Sequence, residues 1–309
     1  MSGTSSPHNG CGASHPAATV RRRVAIVPPM TTPAPDALDI FRPGLFDGRV
    51  ALVTGGGSGI GRCTAVNFAR LGADVVVAGR TAESLDATAA VVRGFGRECT
   101  VVPTNIRDVA AVDALRDVVV ERFGAPDFLV NNAGGQFPAL PSEISDNGWR
   151  AVIDLNLNGT WNMVNRFMGP MTEAGYGSIV NVVHIYSFDR GAPTFVHSGA
   201  ARAGVVSLTR SMAPFLGYHG VTINALAPGM IDTSGMHENE AVKLGLVGEV
   251  MDDALAKSAS QRIGTAEETA AVILFLCSPA ARYINGTAII EDGGEYQNNW
   301  PEFFPKGAL

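Results

Sequence analysis

A chain of 309 residues, 46% of them hydrophobic, is long enough to build one large α/β domain. Its net charge of −6, with no basic stripe that carries interleaved aromatic residues, argues against a nucleic-acid surface. No apolar run is long enough for a membrane span, and the four scattered cysteines lack metal-ligand spacing. We therefore expect no membrane contact, no metal, and a reducing, cytoplasmic location.

The first 44 residues differ in composition from the rest of the chain. They are rich in Ser, Gly, Pro, Thr and Ala and contain no acidic residue before Asp36. Such a composition buries little apolar surface, so we predict a disordered leader over residues 1–44. One folded domain is expected over residues 45–295, followed by a C-terminal tail over residues 296–309.

From residue 49 onward, strand-like segments alternate with segments of helical periodicity. Strands are predicted at 49–54, 74–79, 99–103, 127–131, 178–184, 221–226 and 286–291. Helices are predicted at 60–71, 82–94, 108–123, 146–171, 199–218 and 266–277. This alternation indicates an α/β fold: a single-domain, Rossmann-like, doubly wound parallel sheet of about seven strands with helices on both faces. Residues 232–258 interrupt it, and their mixed polarity predicts a helical lid over a ligand crevice.

The segment Thr54-Gly-Gly-Gly-Ser-Gly-Ile-Gly61 directly follows the first predicted strand. Its glycines allow a backbone to approach a pyrophosphate, and the N–H groups of the following helix favour negative charge. Three glycines could instead form only a tight turn, but their position after an apolar strand favours a dinucleotide site. The expected cofactor contacts in this loop are Gly55, Ser58, Gly59, Ile60 and Gly61.

The second predicted strand ends at Arg80, where an acidic residue would bind the ribose hydroxyls of NAD. A guanidinium instead offers a planar set of donors to a 2′-phosphate, which favours NADP(H) over NAD(H). An arginine at a strand end can also be simply a solvated charge.

Polar and small residues follow the other strands, at the edge where ligands bind in this fold class. Each is weak alone, since Asn-Gly and Pro-Gly are ordinary turns, but their joint placement indicates a cofactor crevice. The further cofactor contacts predicted are Asn105, Ile106, Asn132, Ala133, Gly134, Arg202, Pro228, Gly229, Ile231 and Thr233.

Together these motifs resemble the short-chain dehydrogenase/reductase superfamily over about residues 45–295. Within it, Asn132-Ala-Gly-Gly-Gln-Phe137 and Val196-His-Ser-Gly-Ala-Ala-Arg-Ala-Gly204 are similar to the peroxisomal trans-2-enoyl-CoA reductase and 2,4-dienoyl-CoA reductase branch. The resemblance implies an NAD(P)-dependent oxidoreductase of the kind found in fatty acid metabolism. It also implies a homodimer or homotetramer, in which the helices at 146–171 and 199–218 pack between subunits.

The catalytic end departs from the superfamily pattern. Most members use Tyr-x-x-x-Lys on a long helix, where the lysine lowers the pKa of the tyrosine so that it can act as an acid. Alignment through Leu208-Thr-Arg210 places Ser198 at the tyrosine position and Arg202 at the lysine position. Val183-His184 stands where a serine usually follows the fifth strand.

In the dienoyl reductase branch the tyrosine comes from just after the fifth strand, in a sequence similar to Ile185-Tyr-Ser187. Tyr186 is then the acid or the oxyanion-binding hydroxyl, Gln136 a second donor to the carbonyl oxygen, and Arg202 the cationic anchor of the nicotinamide ribose. Alternatively, Tyr186 is an ordinary tyrosine and the protein is catalytically weak or silent, because arginine cannot readily lose a proton.

The other candidate catalytic residues could each have a purely structural role instead. Asn156 resembles the family's catalytic asparagine, which binds a water through a local helix distortion, although it could merely cap or kink the helix. Ser198 stays a candidate by its position. His184, and less so His197, could donate a proton near neutral pH, although a lone histidine in such a loop is more often structural.

The leading functional prediction is an NADPH-dependent reductase that transfers hydride to a conjugated, enoyl-type carbonyl substrate, with an acyl-CoA as one possibility. Alcohol/ketone oxidoreduction is the alternative within the same superfamily. A non-catalytic NADP-binding protein is the alternative from another class. The partner expected in every enzymatic case is a small acyl or carbonyl compound.

Overall fold

Parallel strands rich in Val and Ile form the centre of the computed structural model, which describes residues 37–236 and 259–297. The strands of the main sheet are β1 (Val50–Thr54), β2 (Asp74–Gly79), β3 (Cys99–Pro103), β4 (Phe128–Asn131), β5 (Gly177–Val182), β6 (Val221–Pro228) and β9 (Ala288–Glu291). In the described residues they pair in the order β3-β2-β1-β4-β5-β6-β9, each pair parallel. The predicted fold class is confirmed, with strand ends within two residues of the prediction.

Helices cover both faces of this sheet, as parallel strands with crossover connections require. They are α1 (Gly59–Arg70), α2 (Ala82–Gly94), α3 (Val109–Phe123), α4 (Asp146–Ile153), α5 (Gly159–Ala174), α6 (Val196–Tyr218) and α7 (Ala266–Cys277). One core, with α1, α2 and α7, contains Phe68, Leu85 and Leu274. A second core, with α3, α5 and α6, is separate and gives the sheet two buried faces.

The predicted leader is ordered at its C-terminal end. Leu38 is 4% exposed and belongs to the same core as Phe46 and Phe68. Phe46 is fully packed against two aromatic rings, with centroids 5.2 Å from Phe68 and 5.0 Å from Phe128. The folded part therefore begins before residue 45, because apolar residues in an otherwise polar leader find a place in the core. Residues 1–36 lie outside the described residues.

The prediction of one continuous helix at 146–171 is wrong in one respect. A π-helical turn at Asp154–Asn158 separates α4 from α5, so the helical region consists of three parts. The Asn156 side chain donates to the carbonyl oxygens of Val152 and Gly135, both at 2.8 Å. A π-helical turn contains one residue more than an α-helical turn. A side chain that bonds both its own helix and a neighbouring loop stabilises this wider turn.

The predicted lid at 232–258 falls mostly outside the described residues. At its start, β7 (Ile231–Asp232) pairs in parallel with β8 (Gly264–Thr265), a short two-stranded sheet that the periodicity did not indicate. Of the C-terminal tail, residues 296 and 297 are described. In the part of the chain that the structure describes, no helix has the length and apolar character to cross a bilayer.

Candidate functional site

A cavity of about 870 Å³ runs along the carboxyl ends of the strands, where the fold class places its ligands. It extends from the loop between β1 and α1, past the ends of β2 and β4, to the ends of β5 and β6. Every predicted cofactor residue except Gly61 lines it. Of the predicted catalytic residues, Gln136, Tyr186 and Arg202 line it, whereas Asn156 and Ser198 do not.

The glycine loop is held against the end of β4 by Thr54. The Thr54 hydroxyl accepts hydrogen bonds from the backbone N–H groups of Asn132 and Ala133, both at 3.0 Å. Gly55 has a φ of +66°, and a Cβ on Gly61 would lie 2.3 Å from the carbonyl oxygen of Gly55. Gly61 is therefore needed for packing beneath the loop, and it does not line the cavity.

The N-terminus of α1 faces this loop with its N–H groups uncapped by side chains. Ser58 is the N-cap residue, yet its side chain makes no capping hydrogen bond, and the first turn holds no acidic residue. Exposed N–H groups beside glycines that cannot carry a Cβ form a fitting cradle for a pyrophosphate. The residues present thus fit the dinucleotide that the sequence predicted.

Arg80 is exposed and lines the cavity beyond the end of β2, as do Gly57 and Ser84. Asn105 and Ile106 follow β3 at the same end of the cavity, and Asn162 holds the loop by donating to the Ile106 carbonyl at 2.9 Å. These positions suit the adenosine half of a dinucleotide.

Asn156 serves the backbone rather than the cavity. Beyond the two donations described above, its side-chain oxygen accepts from Gly135 N at 3.2 Å, and the residue is 3% exposed. The helix distortion that the resemblance implied is present, but the amide of Asn156 ties that turn to the loop after β4. Asn156 is thereby placed as a positioning residue for Gly134 and Gly135.

Ser198, at the position of the usual tyrosine, is buried behind two residues that line the cavity. Its hydroxyl donates to Gln136 Oε1 at 2.6 Å, and His184 Nε2 lies 3.1 Å from the Ser198 Oγ. The backbone N–H of Tyr186 donates to His184 Nδ1 at 3.1 Å. Since Nδ1 accepts, the neutral ring carries its proton on Nε2 and donates it to Ser198. The three side chains thus form a chain of donors that ends at Gln136.

Burial and the nearby Arg202 guanidinium lower the pKa of His184 to about 3. His184 is therefore neutral near pH 7 and does not act as an imidazolium acid. His197 also stays neutral, because burial lowers its pKa. It accepts from Ser198 N at 2.9 Å and packs edge-on against Phe137, so its role is structural.

Tyr186 lies at the substrate end of the cavity, as predicted, but its hydroxyl has an unexpected partner. It donates to Glu295 Oε1 at 2.9 Å. Burial and the Glu295 carboxylate raise the pKa of Tyr186 above its ordinary value. The environment is thus opposite to that of a tyrosine beside a lysine, and Tyr186 does not ionise readily. Sequence reasoning missed Glu295, since only its position just after Asp292-Gly-Gly294 could have drawn attention to it.

Arg202 reaches the cavity from α6. Its Nη1 donates to the Val182 carbonyl oxygen at 2.8 Å, and a Cβ on Gly134 would lie 2.7 Å from its Nη2. The lack of a side chain at residue 134 therefore makes room for the larger guanidinium at the usual lysine position. A guanidinium supplies positive charge there but does not give up a proton near neutral pH.

Comparisons with known proteins agree with this architecture. A family model described as enoyl-(acyl carrier protein) reductase matches residues 55–295. A probable 2,4-dienoyl-CoA reductase of Bacillus subtilis is 38% identical over 256 residues, covering 82% of this chain and 98% of the relative. The 3-oxoacyl-[acyl-carrier-protein] reductase FabG of Thermotoga maritima is 35% identical, covering 81% and 98%. The solved citronellol catabolism dehydrogenase of Pseudomonas aeruginosa is 39% identical with a TM-score of 0.72, covering 84% and 99%.

Proposed function

This chain belongs to the short-chain dehydrogenase/reductase superfamily, and from that premise we propose that it is an NADPH-dependent reductase of conjugated, enoyl-type carbonyl compounds. Membership makes it an NAD(P)-dependent oxidoreductase that acts on a small molecule. The cofactor preference and the substrate class are our proposal.

This proposal rests chiefly on one observation: neutral hydrogen-bond donors stand where most members of the superfamily have an acidic tyrosine. Ser198 stands at the tyrosine position, buried and bonded to Gln136 and His184. Among the described residues at the substrate end, Gln136 carries an amide that does not ionise, and Tyr186 stays protonated near neutral pH because its pKa is raised. The Tyr186 hydroxyl can donate to a substrate oxygen once Glu295 no longer accepts from it. Such groups stabilise negative charge on an oxygen by hydrogen bonding rather than by giving up a proton.

Conjugate reduction requires only this kind of stabilisation at the oxygen. Hydride forms a new C–H bond at the β-carbon, the C=C electrons shift, and negative charge develops on the carbonyl oxygen. The α-carbon then takes a proton from water. Reduction of a ketone to an alcohol instead requires proton transfer to the oxygen itself. The likeness to a probable 2,4-dienoyl-CoA reductase supports the same choice.

The bound nicotinamide supplies the hydride. Gly55, Ser58 and Gly59 would hold the pyrophosphate, and Arg202 would lie beside the nicotinamide ribose. Arg80 supports NADPH over NADH, since it lines the cavity after β2 and its guanidinium would donate to a 2′-phosphate.

The test is consumption of NADPH or NADH, followed by absorbance, with a trans-2-enoyl-CoA, a 2,4-dienoyl-CoA and a cyclic ketone. We expect turnover of a conjugated thioester with NADPH and weak turnover with NADH. Tight NADPH binding with no turnover of any substrate would instead indicate a non-catalytic NADP-binding protein.

A second candidate, ketone reduction, is favoured by one specific observation. The Thermotoga relative is named a 3-oxoacyl-[acyl-carrier-protein] reductase, a name that describes reduction of a keto group. Faster turnover of the ketone than of both thioesters would establish this alternative.

We also propose that the protein is a homodimer or homotetramer. The superfamily resemblance implies that both long helices pack between subunits, yet Met163, Val164 and Phe167 are fully buried within their own subunit. The exposed apolar residues Trp161, Phe215 and Tyr218 remain available on those helices. Light scattering of the purified protein gives the oligomer number, and a monomeric mass would contradict the proposal.

A further inference from the structure

Tyr186 has a single hydroxyl proton, and the structure assigns it to Glu295. The donor–acceptor distance is 2.9 Å, and both residues line the substrate end of the cavity. A hydroxyl that donates to a carboxylate has no second proton for a substrate oxygen. The direction of this one hydrogen bond therefore decides whether Tyr186 can assist the reaction.

Glu295 is held in place by contacts between residues 188–190 and residues 295–296. Arg190 Nη1 donates to the carbonyl oxygens of Glu295 at 3.0 Å and Tyr296 at 2.6 Å. The backbone N–H of Asp189 donates to the Tyr296 hydroxyl at 3.1 Å, and the rings of Phe188 and Tyr296 meet edge to face. This set of contacts, here named the C-terminal latch, brings Glu295 against a residue 109 positions earlier in the chain.

A change of charge at Glu295 allows the hydrogen bond to reverse. An ionised carboxylate is an acceptor only, so it takes the Tyr186 proton. A neutral carboxyl or an amide can donate to the Tyr186 oxygen, which leaves the Tyr186 proton to point at a substrate. Hydrogen-bond donation from one neutral group to the next then ends on the substrate oxygen.

We propose that Glu295 is a positioning residue that sets the direction in which Tyr186 donates: away from the substrate when Glu295 is a carboxylate, toward it when Glu295 is neutral. The proposal rests on the proposed reductase function for its kinetic consequences. It predicts an enzyme that works faster as the pH falls and Glu295 becomes neutral.

The charged and titratable groups around this pair come from two segments of the chain. Arg190 lies on the loop after β5, Asp292 on the C-terminal segment, and the neutral His184 ring lies 5.6 Å from the Tyr186 ring. The charge of Arg190 favours ionisation of Tyr186, whereas Asp292 opposes it. Among these described groups, Glu295 alone bonds the Tyr186 hydroxyl.

The kinetic test is the pH profile of kcat/KM for the best conjugated substrate. In the wild type we expect kcat/KM to fall as the pH rises, because an ionised Glu295 takes the Tyr186 proton away from the substrate. Glu295→Gln should abolish this dependence and be at least about tenfold faster than the wild type on the alkaline side. Tyr186→Phe should be slow at every pH, and the Tyr186→Phe/Glu295→Gln double variant should equal it.

Tyr296→Phe is the matched control. It keeps the ring contact with Phe188, loses the hydroxyl that accepts from Asp189, and leaves the Glu295 carboxylate in the protein. We expect the pH dependence of the wild type to persist in this variant. A flat profile in Tyr296→Phe would mean that loosening the latch removes the pH dependence even though the Glu295 carboxylate is present. That result would overturn the proposal.

A second measurement needs no substrate and so separates this proposal from the proposed function. Near-ultraviolet absorbance measured against pH follows the ionisation of the five tyrosines. Subtracting the curve of Tyr186→Phe from that of the wild type isolates the contribution of Tyr186. Glu295→Gln should move the titration of Tyr186 down toward the ordinary value of about 10. An unchanged titration overturns the proposal, whereas a shifted titration without any turnover overturns only the reductase function.

Discussion

At the scale of single residues, the site depends on which hydrogen-bond partner each side chain finds. His184 is neutral because it is buried beside the Arg202 charge, and its Nδ1 is occupied by the Tyr186 N–H. Its remaining proton supports Ser198, which in turn fixes the amide oxygen of Gln136. Ser198, at the position of the usual catalytic tyrosine, thus orients the Gln136 amide and does not itself donate to the substrate.

Ser198→Ala should lower kcat by about tenfold, because Gln136 and His184 each lose a partner worth about 1–3 kcal/mol when left unsatisfied in a buried site. NADPH affinity should stay unchanged. Steady-state kinetics and a cofactor titration measure the two effects. Ser187→Ala, which removes a hydroxyl near His184 Nδ1 but not the link to Gln136, is the control. Equal kcat values for Ser198→Ala and the wild type would contradict the proposed donor chain.

Arg80→Ala should weaken NADPH binding by about tenfold or more, since a charge-assisted hydrogen bond contributes about 1.5–3 kcal/mol. NADH binding should change little, because NADH has no 2′-phosphate. Fluorescence titration with both cofactors measures the difference. Arg62→Ala is the control, because Arg62 is exposed and does not line the cavity. Equal losses for both cofactors would remove the argument for NADPH.

At the scale of elements, small residues allow strand ends and helix starts to approach each other. Gly61 lies under the loop between β1 and α1, and Gly134 makes room for Arg202. The π-helical turn does the same for the α4–α5 region by bringing the Asn156 side chain to the loop after β4. Local backbone geometry of this kind determines where the cavity wall runs.

Gly61→Ala should reduce the free energy of unfolding by about 1–3 kcal/mol, because the new Cβ overlaps the Gly55 carbonyl oxygen. NADPH binding should weaken as well, since the loop must shift. Gly94→Ala, in α2 with open space around its Cβ, should instead stabilise by about 0.5–1 kcal/mol. Denaturant unfolding with and without NADPH measures both. Similar free energies of unfolding for the two variants would show that the loop accommodates the Cβ at residue 61 without loss of stability.

At the scale of the whole molecule, the two ends of the sheet have different tasks. The carboxyl ends carry the cavity, while the opposite edge carries a cluster that stabilises the fold. There Tyr176 lies between two guanidinium groups, 4.3 Å from Arg49 and 4.5 Å from Arg282. Arg49 also pairs with Asp127 at 2.7 Å, and Arg282 donates to the Gly177 carbonyl oxygen.

Tyr176→Leu should destabilise the protein by about 1–2 kcal/mol, the range for cation–π contacts of a partly buried ring. Kinetic constants should stay unchanged, because the cluster is at the end of the sheet opposite the cavity. Thermal unfolding and steady-state assays together measure this. Tyr283→Leu, at a fully exposed tyrosine, should change neither. A lower kcat without a lower stability in Tyr176→Leu would contradict the division between the two ends.

Local patterns in the chain were sufficient to predict the sheet and the cofactor end of the cavity. Apolar strands, helical periodicity and glycines near Gly55 act over a few residues, and the order of strand ends follows from the fold class. Arg80, Asn132 and Thr233 could be placed because each directly follows a strand or its turn. The family resemblance added Tyr186 and Gln136, which do line the cavity.

Only the tertiary structure decided the partners of the catalytic side chains. The bond from Tyr186 to Glu295, and the link from His184 through Ser198 to Gln136, join residues far apart in sequence. No periodicity encodes such pairs, because they arise when separate strand ends and a C-terminal segment meet. The direction of a hydrogen bond and the pKa of a buried group depend on those neighbours. The chain alone therefore determined a dinucleotide-binding fold, and its folding decided the protonation state of the groups that face the substrate.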